Sequence, residues 1–444
     1  MRQWLRALSL FVLCAALFSL PAWFVGDKAA IGRPSGDVWR NLWLQWAAAE
    51  SWFAGGPPLS HFSLLVDPAG ANVRARIGNV VWPVLVAPLG FGYGPIVAAN
   101  AGLAIVLFLN AVCAYLFLRR WLNSPAAALP VALAYAFGAY SMNEAAAGRP
   151  AAAGVFAVPL AAWAGARAYE KLSPARLALL AAALALAAFW EPWRATGAAG
   201  NGAVDSLPYF LILLALLSLP IRDRRQTMLW LGAAVVLWLT AYRFGPTPLL
   251  PAAYLALAVS AGLALQAMFT RLDLGEARER PLVSVFALLA LAASFFRVPH
   301  PIAPVDLPAP YAAIAGDARG AVLELPAHAK TSINAHNLFF QTAHRRPALV
   351  ARIFDDQPEG FPPAAVAAAP GLAGLGRWPM DPATLDGIDP STLRAGLAAL
   401  GVRWVALHTD AIPEISRELI SFWFTQTFGA PIGQSKAMTL FELR

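Results

Sequence analysis

Nine times within its first 297 residues the chain runs apolar for the length a helix needs to cross a bilayer. A hydrocarbon core of about 30 Å takes about 17 to 25 helical residues. Such runs fall near 7–24, 96–118, 126–143, 151–168, 174–190, 204–220, 227–243, 247–269 and 282–297. Several are short or hold proline, which membrane helices tolerate when neighbours satisfy the freed backbone groups. A further run, 80–91 (VVWPVLVAPLGF), is too short and too proline-broken to span, and it reads as an interfacial or re-entrant helix. Composition agrees, with 59% hydrophobic and 13% charged residues against about 25% charged in soluble domains. The fold class is mainly α, a polytopic membrane helix bundle of about nine spans.

Charge placement orients the bundle. Cytoplasmic loops carry an excess of Lys and Arg, and Arg2 and Arg6 put the N-terminus in the cytoplasm. The loops then expected inside hold Arg119 and Arg120; Arg167, Lys171 and Arg176; Arg222, Arg224 and Arg225; Arg271, Arg278 and Arg280. Three short loops expected outside hold one arginine each: Arg149, Arg194 and Arg243. Counting 80–91 as a span would reverse every later loop and destroy this pattern. The expected protein is a multi-pass plasma (inner) membrane protein with its C-terminus extracytoplasmic. Residues 1–297 carry 22 basic against 12 acidic residues and residues 298–444 carry 11 against 13. The net charge of +8 therefore belongs to membrane loops and does not point to nucleic acid.

The N-terminus resembles a signal peptide but has no convincing small-x-small cleavage site, and Leu13 stands where a lipoprotein signal wants a small residue before Cys14. It is taken as a retained first span. Cys14 and Cys113 both lie in apolar runs, so no disulfide framework is expected.

The first outer loop, residues 25–95, holds SGDVWRNLWLQWAAAESWF at 35–53. At about 100° per residue, Trp39, Trp43, Trp46, Glu50 and Phe53 share one narrow helical face. A Trp-lined amphipathic helix is expected to lie flat in the membrane interface. Asp37, at its entrance, has two readings: an N-cap worth about 1 kcal/mol, or a general base activating a hydroxyl acceptor. Glu50 interrupts the aromatic stripe, so either desolvation raises its pKa, as is common at functional sites, or its head turns into water. Arg149, Arg194 and Arg243 suit either headgroup anchoring or the binding of a lipid phosphate.

From about Val298 a Pro-rich linker (VPHPIAPVDLPAP) leads into a water-soluble composition. Strands are expected at 321–326, 402–408 and 438–444, and helices at 333–344, 391–400 and 412–428, with 357–390 unassigned. That alternation predicts a small α/β domain over 298–444, after a membrane domain over 1–297. Five of the six histidines lie there, and His336 and His344 are eight apart, not the four of a helical metal pair. No HExxH, CxxC, P-loop or GxGxxG before a helix is present. No cofactor is expected, and a divalent metal is left open without a ligand motif. QTAHRRP, at 341–347, reads as a contact surface or a solvated helix end.

The order of these features resembles the GT-C superfamily of polyprenyl-phosphate-sugar-dependent glycosyltransferases. The carrying residues are GDVWRNLWLQW after the first span, LFLRRWL, SPAAALPVALAYAFGAYS and GRP. The tail, with AVLELP, FFQTAHRRPALVAR, LAALGVRWVALHTD and TLFELR, is similar to that of a bacterial group within it. The resemblance covers the first five spans and the tail best. It implies a catalytic aspartate at Asp37, and a glycine plus basic residue at Gly148 and Arg149. No DxD is present, whereas many active relatives carry a second acidic residue or a metal-holding acidic pair. The implied function is transfer of a sugar from a polyprenyl-phosphate donor to an envelope glycan, lipid or protein acceptor. In that scheme Asp37 is the base, Arg149, Arg194 and Arg243 hold the departing phosphate, and Glu50, Trp43 and Trp46 line the substrate. The alternative is a non-catalytic scaffold of the same fold in envelope assembly.

Overall fold

A computed structural model describes residues 2–53, 65, 81–171, 173–189, 224–244, 249–272, 276–295, 300–315, 319–327, 331–351, 360–377, 380 and 382–443. Its contacts divide the chain into two compact units. One comprises Met1–Arg33, Gly78–Val86 and Val97–Ile302; the other comprises Pro34–Ile77, Ala87–Ile96 and Ala303–Arg444. The sequence reading put residues 34–53 with the membrane part, whereas by contacts they cluster with the tail.

The first unit is helical. Its elements are α1 (Arg2–Phe18) and α2 (Leu20–Val25), and after the segment that carries α3 (Gly36–Phe53) it continues with α4 (Val81–Trp121). Then come α5 (Pro125–Ala136), α6 (Ala139–Ala146), α7 (Pro150–Ala153), α8 (Ala157–Glu170), α9 (Pro174–Phe189), α10 (Arg224–Phe244), α11 (Leu249–Arg271) and α12 (Glu276–Phe295). Among the described residues, four stretches are long and apolar enough to cross a membrane: Val81–Trp121, Pro125–Ala146, Pro150–Glu170 and Pro251–Arg271. Shorter apolar helices cover Gln3–Phe18, Pro174–Leu186, Met228–Trp238 and Pro281–Ala292. The span expected at 204–220 lies outside the described residues. Within α4 the helix breaks at Gly94, with φ 84° and Pro95 following. That left-handed backbone, open to glycine, separates the 80–91 segment from the following span, as the proline pattern predicts.

Packing in this unit relies on close approach and buried aromatics. A side chain at Gly262 on α11 would run into the methyl groups of Leu122. Phe18 stacks on Phe137 at 4.8 Å, and buried Asn110 donates to the Ala153 carbonyl at 2.9 Å. Loops expected on a common side meet. Arg33 N–H donates to Ala146 O at 2.8 Å and Gly32 N–H to Pro301 O at 2.7 Å. At the other ends of these helices, Gln266 Oε1 accepts from Asn123 N–H at 2.7 Å, and Arg120 pairs with Glu170.

The second unit centres on a five-stranded sheet: β1 (Ala321–Leu325), β2 (Ala348–Leu349), β3 (Val402–His408), β4 (Gly433–Gln434) and β5 (Met438–Glu442), in the order β2-β1-β3-β5-β4. β1 runs parallel to β2 and β3, whereas β3–β5 and β5–β4 are antiparallel. All of β1 is buried, as expected of a strand covered on both faces. Around the sheet lie α13 (Thr331–Phe339), α14 (Gln341–His344), α15 (Pro390–Ala399) and α16 (Glu414–Phe428). The expected strands and helices are present to within a few residues. β2 and β4 were too short to show a pattern, and 357–390 contains the short helices Pro363–Ala368, Leu372–Leu375 and Pro382–Leu385.

Candidate active site

Helix α3 carries the proposed base. Its central turns are buried all round: Leu42, Trp43, Gln45, Ala47 and Ala48 are each at most 1% exposed. This corrects the expected seating of the Trp stripe in the membrane interface. The indoles face protein, because Leu42, Leu44 and Ala47–Ala49 make the other sides apolar too, and a helix apolar all round is a buried one. Trp39 stacks on His336 of α13 at 4.3 Å and touches Phe339 at 5.3 Å. Trp43 donates its indole N–H to Gln341 Oε1 of α14 at 2.8 Å. Each buried Trp removes about 200 Å² from water, an order of 5 kcal/mol.

Asp37 lies in the first turn of α3, where a carboxylate favours the positive end of the helix dipole. It is not the residue before the helix, as an N-cap would be. Its side chain is 38% exposed and faces Arg40 Nη1 at 3.5 Å. At about 100° per residue, Asp37 lies about 160° round the helix from Trp39, so burying the Trp face turns Asp37 away from it. Glu50 is 41% exposed, 3.9 Å from Arg345 Nη1, so its head turns outward toward a cation. Trp46 is buried and its N–H has no partner among the described residues.

Arg149 belongs to the other unit. Gly148, at φ 76°, turns the chain between α6 and α7, and Arg149 grips Glu144 with Nε at 2.8 Å and Nη2 at 3.1 Å. Arg194 lies outside the described residues. Arg243 falls at the end of α10, with its side chain outside the described residues.

A cluster with no sign in the sequence lies in the sheet unit. Glu324 of β1, 1% exposed, accepts from Tyr311 OH at 2.8 and 3.0 Å and from His408 Nε2 at 2.8 Å, and lies 3.2 Å from His344 Nε2. His344 Nδ1 accepts the Arg346 N–H at 3.1 Å, which fixes the tautomer carrying hydrogen on Nε2. Burial alone would raise the Glu324 carboxyl; the bonds from His344 and His408 outweigh it and hold the group at about 2. Burial holds His336 down at about 4 and pushes Tyr311 well above the usual phenol value. Glu324, Tyr311, His344 and His408 are all buried. Among the described residues no group of three His, Cys, Asp or Glu is placed to hold a metal.

No family model matches the sequence, and no curated protein matches it. Solved structures do. The arabinofuranosyltransferase AftD from Mycobacteria is similar with a TM-score of 0.54 at 16% identity, over 100% of this chain and 42% of that one. The Archaeoglobus fulgidus oligosaccharyltransferase tethered to an acceptor peptide containing the NVT sequon is similar with a TM-score of 0.50 at 12% identity, over 94% and 70%. The chain thus spans less than half the length of AftD. At 12% and 16% identity the likeness is one of fold alone.

Proposed function

We propose that the protein is a membrane glycosyltransferase moving a sugar from a polyprenyl-phosphate donor to an envelope glycan, lipid or protein. The observation that carries this reading is the GT-C fold, shared with an arabinofuranosyltransferase over the whole chain. The carboxylate of Asp37, 38% exposed in the first turn of a helix whose central turns are buried, suits the base. In the reaction, the Asp37 carboxylate takes the proton of an acceptor hydroxyl as that oxygen attacks the anomeric carbon. The bond from that carbon to the phosphate oxygen breaks, and polyprenyl phosphate leaves with the electron pair. Arg149, Arg194 and Arg243 are the proposed partners of that phosphate, since guanidinium forks match its oxygens. The test is transfer of tritiated sugar from farnesyl-phosphate hexoses and farnesyl-phosphate arabinofuranose to isolated membranes, by purified protein in liposomes. Asp37→Asn is expected to lose a factor of about 10² or more. Transfer at the wild-type rate by a folded Asp37→Asn protein overturns the assignment.

A further inference from the structure

A continuous run of buried polar contacts leads from the sheet to α3. Glu324 Oε1 lies 3.2 Å from His344 Nε2, and His344 Nδ1 accepts from the Arg346 backbone N–H at 3.1 Å. Gln341 Nε2 donates to the Arg346 carbonyl at 2.6 Å, while Gln341 Oε1 accepts from Trp43 Nε1 at 2.8 Å. Both ends of the Gln341 amide are thereby used and its orientation is fixed. Gln341 and Trp43 are each 0% exposed. A second contact runs beside the first: His408 stacks on Phe340 at 4.7 Å, Phe340 meets His336 at 4.6 Å, and His336 stacks on Trp39 at 4.3 Å. Trp39 and Trp43 are one helical turn apart on one face. Two anchors on one face fix how far α3 is rotated about its axis.

We propose that Gln341 and His336 are positioning residues for Asp37, setting the rotation of α3 through Trp43 and Trp39. This rests on the glycosyltransferase reading and assigns to the tail the placing of the base. A carboxylate about 6 Å from a helix axis moves by about 1 Å when the helix turns by about 10°. A misplacement of that size is enough to cost about 10²-fold in rate. Gln341 touches no reacting group in this scheme; it acts through Trp43.

Gln341→Leu, Trp43→Phe and the pair together separate positioning from folding. Trp43→Phe strands Gln341 Oε1 and Gln341→Leu strands Trp43 Nε1, whereas the pair removes both ends of that bond and leaves only the Arg346 carbonyl without its Gln341 donor. With the farnesyl-phosphate probes, each single variant is expected to lower kcat about 10-fold at unchanged donor KM. The pair is expected to lose about 10-fold as well, not 100-fold. Hydrogen exchange of the peptide spanning 36–53 is expected to quicken in Gln341→Leu, while that of 402–408 stays as in wild type. Unchanged exchange over 36–53 overturns the proposal. So does quickened exchange with unaltered kcat, or a 100-fold loss in the pair. If no probe is turned over, or Asp37→Asn equals wild type, the glycosyltransferase reading fails and positioning fails with it. Quickened exchange over 36–53 then still identifies Gln341 as the anchor of α3, which tells the two failures apart.

Discussion

Glu324 offers the sharpest test of how the tail is held together. Replacing it with leucine removes the acceptor of two buried donors, Tyr311 and His408, each 2.8 Å away, and the carboxylate 3.2 Å from His344 Nε2. Removing one partner of a buried charged network costs about 3–5 kcal/mol. Glu324→Gln keeps one acceptor oxygen and adds a donor where donors already point, so about 1–3 kcal/mol is expected. Unfolding of a protein with two compact units is not a single transition, so the measurement must be local. Amide exchange across β3 reports opening of the sheet. A loss of 3 kcal/mol speeds it about 10²-fold, with Leu worse than Gln. The carboxyl is held at about 2 against an ordinary 4.5. Its contribution, of order 3 kcal/mol, is therefore complete above about pH 4.5 and lost as pH falls toward 2. Over that window β3 exchange, corrected for intrinsic chemistry, should rise more steeply in wild type than in Glu324→Gln. Equal exchange in wild type and Glu324→Leu at neutral pH would refute the reasoning.

His336, neutral in the fold down to about pH 4 against an ordinary 6.5, contributes in full above about 6.5. That contribution fades as pH falls toward 4, so His336→Phe should flatten the pH dependence of exchange over 331–344 in that window. Arg149→Leu takes the charge partner from buried Glu144 and should cost about 2 kcal/mol. Pairing it with Glu144→Leu should recover much of that in thermal inactivation of the detergent-solubilised protein. Gly262→Val places a side chain against Leu122 and should destabilise by about 1–3 kcal/mol; Leu122→Ala in the same chain should relieve it.

Apolar length and proline spacing carried most of the helical unit, because membrane spans write their constraint locally. The break at Gly94 between 80–91 and the next span is of this kind. Strands 402–408 and 438–442 were equally legible from alternation. What was hidden depends on distant partners. Glu324 reads as an ordinary polar position in AVLELP, and nothing near it announces Tyr311, His344 and His408. Within QTAHRRP, Gln341 and His344 are fully buried while Arg345 is exposed, a division set by a tryptophan 298 residues away. The Trp stripe was found correctly as a face, but an apolar face does not say whether lipid or protein will cover it.

That separation also orders events during synthesis. At about 5–20 residues per second, the 298 residues between Trp43 and Gln341 take about 15 to 60 s to emerge. Throughout that interval Trp39 and Trp43 stand without the helices that finally cover them. Headgroups are the surroundings indoles favour when no protein is at hand, so the newborn chain has a temporary resting place for α3 before its permanent one arrives.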